Sequence, residues 1–174
     1  MATINRIGYG QVEPNHLSAQ RTGQIYAQLP AAENITVLEN GQYVKYNYAD
    51  EIVDYAGEGE WMLVYNEVKL YDNRENTKDF ALKAADQMGG KMYPRVFKTN
   101  IGDIYTTNTL EMASNGAVTG TENYAVGDVL APNATGYLSK TAGAAAEDGA
   151  MKWQIVKIYT LPDGQAAVKV MRIA

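Results

Sequence analysis

The C-terminal stretch of the chain constrains its fold more than any other part of the sequence. Residues 153–160 and 166–173 are two runs rich in β-branched and aromatic side chains, and Pro162-Asp163-Gly164 lies between them. Proline and glycine favour a tight turn here, and the flanking runs suit a pleated surface. The pattern predicts a closing β-hairpin.

Residues of a regular strand alternate between its two faces. In the first strand of this hairpin, alternation places Ile155, Lys157 and Tyr159 on one face and Val156, Ile158 and Thr160 on the other. Both faces of that strand would therefore carry apolar side chains.

Short apolar runs separated by turn residues predict further strands upstream. Asn40-Gly41 lies between residues 35–38 and 43–46 and predicts a hairpin, because Asn-Gly tolerates the positive φ angles of a type I′ turn. Residues 61–65 and 68–71 indicate another strand pair or one bent strand. Shorter candidates are residues 93–98, 103–107, 128–131 and 137–140.

Residues 41–47, 102–108 and 127–133 resemble one another. Each segment begins with glycine and a polar residue, continues with two large apolar residues and ends in asparagine. Such a turn–strand–turn unit is either an internal repeat or the recurrence expected in any compact β protein.

One segment has a helical pattern. Phe80, Ala84 and Met88 recur every four residues, and Gly89-Gly90 follows as a flexible end. We expect a helix over residues 77–88. The predicted fold class is α+β and mostly β: a small β-barrel or sandwich with one packed helix and an extended N-terminal arm.

The first thirty residues differ in texture from the rest. Their apolar residues are scattered among Gln, Asn, Ser, Gly and Pro without a helical or two-residue period. We interpret residues 1–30 as an extended arm and residues 31–174 as the β-rich globular domain. Because such an arm cannot bury enough apolar surface alone, we expect its own domain or a neighbouring chain to hold it.

The size and composition fit one compact domain, alone or with an appended segment. The chain has 174 residues, of which 46% are hydrophobic and 20% charged. No apolar run reaches the length of a transmembrane helix, and the first residues lack the apolar centre of a signal peptide. We therefore expect neither a membrane span nor a signal peptide.

Cysteine is absent and His16 is the single histidine. Their scarcity argues against disulfides, thiolate nucleophiles, zinc sites and histidine-dependent triads. Ser18 lies two residues from His16 but lacks the strand-to-helix elbow of a nucleophile, and no glycine-rich phosphate loop is present. We expect no catalytic residue, no cofactor and no metal, and we interpret the chain as not an enzyme.

The net charge of −5 is distributed unevenly. Residues 34–72 hold two basic and eight acidic residues, whereas residues 73–99 hold six basic and three acidic ones. Nucleic-acid affinity comes mainly from lysine and arginine displacing counterions, and this basic stretch is dilute and mixed with acids. We expect no binding to nucleic acid.

Five carboxylates precede Trp61: Asp50, Glu51, Asp54, Glu58 and Glu60. Hard oxygen ligands suit Ca²⁺, but the spacing does not match an EF-hand loop. Paired carboxylates beside a tryptophan also fit a glycoside hydrolase, which needs the two carboxyls roughly 5 to 9.5 Å apart. We favour a solvated acidic loop. The sequence also allows a second, short helix near residues 50–55.

Thirteen tyrosines exceed the two phenylalanines and two tryptophans. Tyr43, Tyr46 and Tyr48 lie around the first predicted hairpin. They form either a half-buried strand face or a stripe that stacks on sugars or contacts another protein. For the tyrosines as a set we expect some use in an interface.

These parts together resemble a known family. Residues 126–140, followed by residues 153–173, resemble the barrel portion of tailed-bacteriophage head decoration (cement) proteins. Residues 11–28 are similar in texture to the arms that phage head proteins lay along the capsid. The resemblance covers the architecture of the whole chain, through motifs that are diffuse.

The resemblance implies a bacteriophage virion structural protein, made in the host cytoplasm, that binds the outer capsid surface. Its partner would be the major capsid protein, whose neighbouring subunits it would bridge to stabilise the head. It would also form a homo-oligomer, a dimer or trimer. The arm residues expected to contact a partner are Ile7, Tyr9, Val12, His16, Leu17, Arg21, Ile25, Tyr26 and Leu29.

Two other functions remain open. One is a carbohydrate-binding or adhesin-type β module, which predicts a cluster of exposed tyrosine or tryptophan side chains on one face. The other is a small hydrolase that uses the carboxylates of residues 50–60.

Overall fold

The computed structural model describes residues 6–13, 29–66, 80–111, 124–140 and 150–174. Strands dominate these ranges. They are β1 (Val12–Glu13), β2 (Val37–Leu38), β3 (Tyr43–Asn47), β4 (Ile52–Asp54), β5 (Glu58–Val64), β6 (Leu82–Lys83), β7 (Val96–Phe97), β8 (Ile104–Thr107), β9 (Val129–Pro132), β10 (Leu138–Ser139), β11 (Trp153–Thr160) and β12 (Ala166–Arg172). Two 3₁₀ turns, Ala84–Asp86 and Met88–Gly90, are the helical elements of the described residues.

The strands form sheets of six, four and two strands. The six-stranded sheet has the order β1-β8-β12-β11-β9-β10, the four-stranded sheet has the order β4-β3-β5-β7, and β2 pairs with β6. The sheets are curled into half-barrels. The prediction that the fold is mostly β is confirmed. None of the described segments contains a helix with the length and hydropathy needed to cross a bilayer.

Strands β11 and β12 form the predicted closing hairpin, but a bulge changes which side chains share a face. Ile155 pairs with Val170 and Ile158 pairs with Val168. Because Val168 and Val170 lie two residues apart on one face, Ile155 and Ile158 share that face, and the register shifts between them. The alternation expected from the sequence is therefore wrong beyond Ile155. Lys157 lies on the opposite face of the strand from Ile155 and not on the same face.

The four-stranded sheet is buried on both faces. Tyr43 and Leu63 belong to a hydrophobic cluster shared with the six-stranded sheet. Their neighbours Val44 and Met62 belong to a second cluster on the other face. The two-residue period of β3 and β5 thus fills two cores, with the six-stranded sheet on one side and residues 29–38 and 82–92 on the other.

Aromatic side chains form the centre of the first core. The ring of Trp153 lies edge-on to that of Tyr105, with centroids 4.9 Å apart, and 6.1 Å from that of Tyr43. The hydroxyls of Tyr43 and Tyr105 are 2.7 Å apart and share a hydrogen bond. Burial raises the pKa of both tyrosines, so both stay neutral in the core.

The helix expected over residues 77–88 is wrong from Phe80 onward, and residues 77–79 lie outside the described ranges. Leu82 and Lys83 instead form β6, and the amide of Ala84 donates to the carbonyl of Thr36 at 2.9 Å. Pairing with β2 thus overrides the local helical pattern. The expected hydrophobic stripe is not formed either, because the Met88 side chain is fully exposed.

Two other local predictions are also wrong. The short helix near residues 50–55 is replaced by β4, whose Val53 pairs with Tyr46 of β3. The first predicted hairpin does not form, because β2 pairs with β6 while β3 pairs with β4 and β5. A turn does occur at residues 39–42, but of its two central residues only Gly41 has a positive φ, so it is not the type I′ turn expected for Asn40-Gly41. The turn therefore carries the chain from one sheet to another.

The three similar segments begin with the same turn. In residues 39–42, 100–103 and 125–128 the fourth residue donates its amide to the first residue's carbonyl, at 3.2, 3.0 and 3.1 Å. Its side-chain oxygen accepts the first residue's amide, at 2.7, 2.7 and 2.8 Å. The third residue is a glycine with φ of 95°, 93° or 98°, a conformation that favours glycine. The sequence similarity thus marks a repeated turn that starts a strand.

Candidate interaction surfaces

Residues 6–13 are fixed to the domain by a buried ion pair, which we call the clasp. Arg6 Nη1 lies 2.6 Å from Glu39 Oε2, and Nη2 lies 3.2 Å from Oε1. Glu39 also accepts the Gly10 amide at 2.9 Å and the Tyr137 hydroxyl at 3.1 Å. Burial, with the Glu39 carboxylate, raises the pKa of Tyr137, so its hydroxyl stays a donor. Four donors therefore satisfy the Glu39 carboxylate away from water.

Further contacts extend the clasp along the chain. The Gln11 amide donates to Asn108 Oδ1 at 2.9 Å, and the Thr107 hydroxyl donates to the Gln11 carbonyl at 2.7 Å. Strand β1 then pairs with β8, with Val12 opposite Thr107. Gly10 packs so tightly that an added Cβ would lie 2.1 Å from Thr109 Oγ1. Residues 6–13 are thus built into the domain.

The chain is fixed again where the described residues resume. Ala31 donates its amide to the Met92 carbonyl at 2.8 Å, and Ala32 donates to the Val53 carbonyl at 2.9 Å. Leu29 packs against the second core. Residues 14–28 therefore join two points that are each attached to the domain.

The residues expected to contact a partner fall into three groups. The side chain of Ile7 is 63% exposed, and Tyr9 lies under the Lys83 ammonium, 4.8 Å from the ring centroid. Val12 and Leu29 pack against their own domain's cores. His16, Leu17, Arg21, Ile25 and Tyr26 lie outside the described residues.

A second surface lies on the outer face of the six-stranded sheet. We call Glu13, Lys157, Tyr159 and Lys169 the lysine face. Lys157 lies directly opposite Lys169, and their ammoniums are 6.0 and 5.1 Å from the centroid of the Tyr159 ring. The Glu13 carboxylate raises the pKa of Tyr159 by its charge, with smaller effects from desolvation and a hydrogen bond between the two side chains.

The lysine face therefore pairs two like charges across adjacent strands. Like charges in directly opposite positions are destabilising, and the face of an aromatic ring offsets this only in part. Neither ammonium forms an ion pair with a carboxylate of the described residues. The sheet thus presents two positive charges to solvent on a chain that is acidic as a whole.

The five carboxylates noted in the sequence lie within residues 48–60, which we call the acidic loop. The expected solvated loop is only partly formed, because Asp54 belongs to β4 and Glu58 and Glu60 belong to β5. Asp54 accepts the amides of Ala56, at 3.0 Å, and Gly57. Glu60 pairs with Arg172 at 2.5 Å. These acids hold the loop in shape, and no group of three potential metal ligands is found in the part of the chain that the structure describes.

Glu51 and Glu58 of the acidic loop are different. Both are exposed, and neither forms an ion pair or a side-chain hydrogen bond with another described residue. Tyr48, three residues before Glu51, is 59% exposed, and the centroid of its ring lies 5.7 Å from that of Tyr46. The loop thus offers an aromatic side chain and unpaired negative charge to solvent.

The tyrosines are divided between core and surface. Of the three near the first turn, Tyr43 and Tyr46 are buried and only Tyr48 is exposed. Tyr93 is the other strongly exposed aromatic residue of the described ranges, and its ring does not contact that of Tyr48. The exposed cluster that a carbohydrate-binding module requires is therefore not found among these residues.

A small apolar cavity lies beside the second attachment point. Its volume is about 160 Å³. Ala31, Ile35, Ile52 and Met92 are among the residues that line it, with Glu33 and Lys91 as charged lining residues. The cavity suits an aliphatic side chain better than a polar substrate.

The clasp and the lysine face were both missed from the sequence. Arg6 and Glu39 are distant in the chain, and no local pattern links them. The pairing of Lys157 with Lys169 could have been predicted from the sequence, because counting residues outward from the hairpin turn places these two lysines opposite each other.

Comparison of the chain with protein-family models, with curated proteins and with solved structures finds no match in any of the three.

Proposed function

We propose that this chain is a virion structural protein, and not an enzyme, that binds the outer capsid surface through the major capsid protein. It bridges neighbouring capsid subunits and so stabilises the head. The proposal draws on the resemblance of the sequence to head decoration proteins. The structural observation that best supports the proposal is the attachment of the N-terminal region to its own domain at two points, residues 6–13 and residues 29–32.

The double attachment defines which residues are available to a neighbour. Residues 6–13 and 29–32 bind their own domain, so the bridging role belongs to residues 14–28 rather than to a free arm of thirty residues. This segment contains His16, Leu17, Arg21, Ile25 and Tyr26. Arginine and tyrosine are enriched among the residues that dominate binding energy at interfaces.

Covalent geometry limits how far this segment reaches. An extended chain spans at most about 3.6 Å per residue, so the middle of residues 14–28 lies no more than about 28 Å from the nearer attachment point. A small domain is about 30 Å across. If fully extended, the segment would thus reach an adjacent capsid subunit but would not pass beyond it.

The attachment also favours bridging energetically. A segment fixed at both ends has fewer conformations to lose on binding than a free arm of equal length. Many copies on a symmetric shell would multiply a modest gain per copy. The net charge of −5 suits the outside of the shell better than a surface that faces packaged DNA.

The test is to replace residues 14–28 with a Gly/Ser sequence of equal length. This keeps both attachment points and the buried ion pair, whereas deletion of residues 1–30 would leave Glu39 buried without Arg6. Binding is measured by co-sedimentation with heads assembled without this chain. We expect the variant to remain folded and to bind heads at least about 100-fold more weakly, as for loss of several interface anchors.

The matched control replaces residues 141–149 with a Gly/Ser sequence in the same way and should bind heads as the native chain does. If the residue 14–28 variant saturates heads with unchanged affinity, the bridging role of that segment is wrong. If the native chain itself does not bind heads, the proposed function is wrong.

A further inference from the structure

We propose that copies of this chain associate with one another, with the lysine face of one copy docked on the acidic loop of a second copy. This inference goes beyond capsid binding and does not depend on it. It rests on two surfaces of the same chain that carry opposite charge and whose charged groups form no ion pair within the described ranges.

The lysine face has the properties of a site for a carboxylate. The ammoniums of Lys157 and Lys169 are held near one another by cross-strand register and by the Tyr159 ring. Glu13, the acidic side chain of this face, is hydrogen bonded to the Tyr159 hydroxyl and forms an ion pair with neither lysine. An anionic group placed between the two ammoniums would relieve their repulsion, and it would gain two charge-assisted hydrogen bonds.

The acidic loop supplies the complementary group. Glu51 and Glu58 are exposed and unpaired among the described residues. Glu51 follows Tyr48 by three residues, and Glu58 precedes Gly59, the residue that the Tyr48 ring approaches. Tyr48 packs against Tyr46 and lies 3.9 Å from the position of a Cβ on Gly59, so neighbouring residues support its ring. A supported, exposed tyrosine beside charged groups is a typical interface anchor.

The two surfaces do not pair within one chain. The lysine face belongs to β1, β11 and β12, whereas the acidic loop runs from the end of β3 through β4 to the start of β5 in the four-stranded sheet. No ion pair links them in the described residues. A symmetric dimer would form the contact twice, and a closed ring would form it once per copy.

The experiment measures the molar mass of the purified chain by light scattering over a range of concentrations. At low ionic strength we expect the mass to rise with concentration, and in about 0.5 M salt we expect it to return to that of the monomer, because salt screens exposed charges. K157E/K169E and, separately, E51K/E58K should each weaken association at least about tenfold, since each places like charges together.

Mixing the two variants provides the decisive measurement. K157E/K169E has an acidic face and E51K/E58K has a basic loop, so the mixture restores complementary pairs, and we expect association to return. Lys91→Glu, which changes an exposed lysine outside both surfaces, should associate as the native chain does.

Three results would overturn the proposal. They are a native chain that stays monomeric throughout, variants that associate as the native chain does, and a mixture that does not recover. If the native chain is monomeric and K157E/K169E loses binding to heads, the lysine face binds the capsid instead of a second copy.

Discussion

The clasp and the lysine face use similar chemistry in opposite environments. Each combines a cation, a glutamate and a tyrosine hydroxyl that contacts the glutamate. In the clasp the side chains of Arg6 and Glu39 are 6% and 8% exposed, and every oxygen of the carboxylate has a donor. On the lysine face the charges are at the surface, and both lysines lack an acidic partner among the described residues.

Burial decides what each arrangement does. A buried ion pair contributes little net stability when intact, but the loss of one partner leaves a charge without solvent or counter-charge. An exposed pair costs little to break and can exchange partners. The clasp therefore fixes the chain to its own domain, whereas the lysine face is suited to contacts between molecules.

The largest expected effect comes from breaking the clasp on one side. Arg6→Met removes the cation and leaves the Glu39 carboxylate buried with two neutral donors, the Gly10 amide and the Tyr137 hydroxyl. We expect the free energy of unfolding to fall by about 3–5 kcal/mol, measured by urea denaturation at neutral pH.

The double variant Arg6→Met/Glu39→Gln is the control for this experiment. It removes the uncompensated charge and should regain part of the lost stability, as expected when both members of a buried pair are replaced. If Arg6→Met unfolds within about 0.5 kcal/mol of the native chain, the clasp does not form in solution.

The tyrosines of the two regions should respond differently to salt at high pH. Burial is the main cause of the raised pKa of Tyr137, whereas the charge of Glu13 is the main cause for Tyr159. Salt screens an exposed charge but does not reverse burial. In titrations monitored by tyrosinate absorbance, we expect about 0.5 M salt to lower the pKa of Tyr159 and to leave that of Tyr137 in place.

Difference titrations assign each group, since Tyr159→Phe and Tyr137→Phe each remove one component. The sign of the linked stability follows from the raised pKa. The contribution of Tyr137 is complete below the unfolded tyrosine pKa of about 10 and is lost as the pH rises above it. Equal salt shifts for both tyrosines would contradict the contrast between the two regions.

Local patterns in the sequence predicted the position of most strands, but they predicted the pairing only of the closing hairpin. The closing hairpin, β5, β7, β8, β9 and β10 lie where short apolar runs indicated strands. The pairing of Val37 with Lys83 depends on residues far apart in the chain, and it converts part of an apparent helix into β6. The bulge beyond Ile155 likewise has no signal in the residue pattern, so it reversed the predicted faces.

The clasp and the lysine face also differ in how far the sequence could have predicted them. The clasp joins residues 33 positions apart, and a lone arginine in a polar N-terminal segment gives no indication of a buried partner. The lysine face was within reach, because pairing Thr160 with Ala166 places Lys157 opposite Lys169 by counting alone. The register next to a tight turn is therefore readable from sequence, whereas a bulge farther along the strand and a long-range ion pair are not.

The smallest expected effect comes from the lysine face. Lys157→Ala removes one member of a like-charge pair and one ammonium near the Tyr159 ring, and these two changes oppose each other. We expect the free energy of unfolding to change by no more than about 0.5 kcal/mol in either direction, as for exposed charges generally. Urea denaturation in low and high salt measures it. A loss of several kcal/mol would mean that the lysine face, like the clasp, is part of what holds the domain together, and the contrast between a structural and a recognition surface would fail.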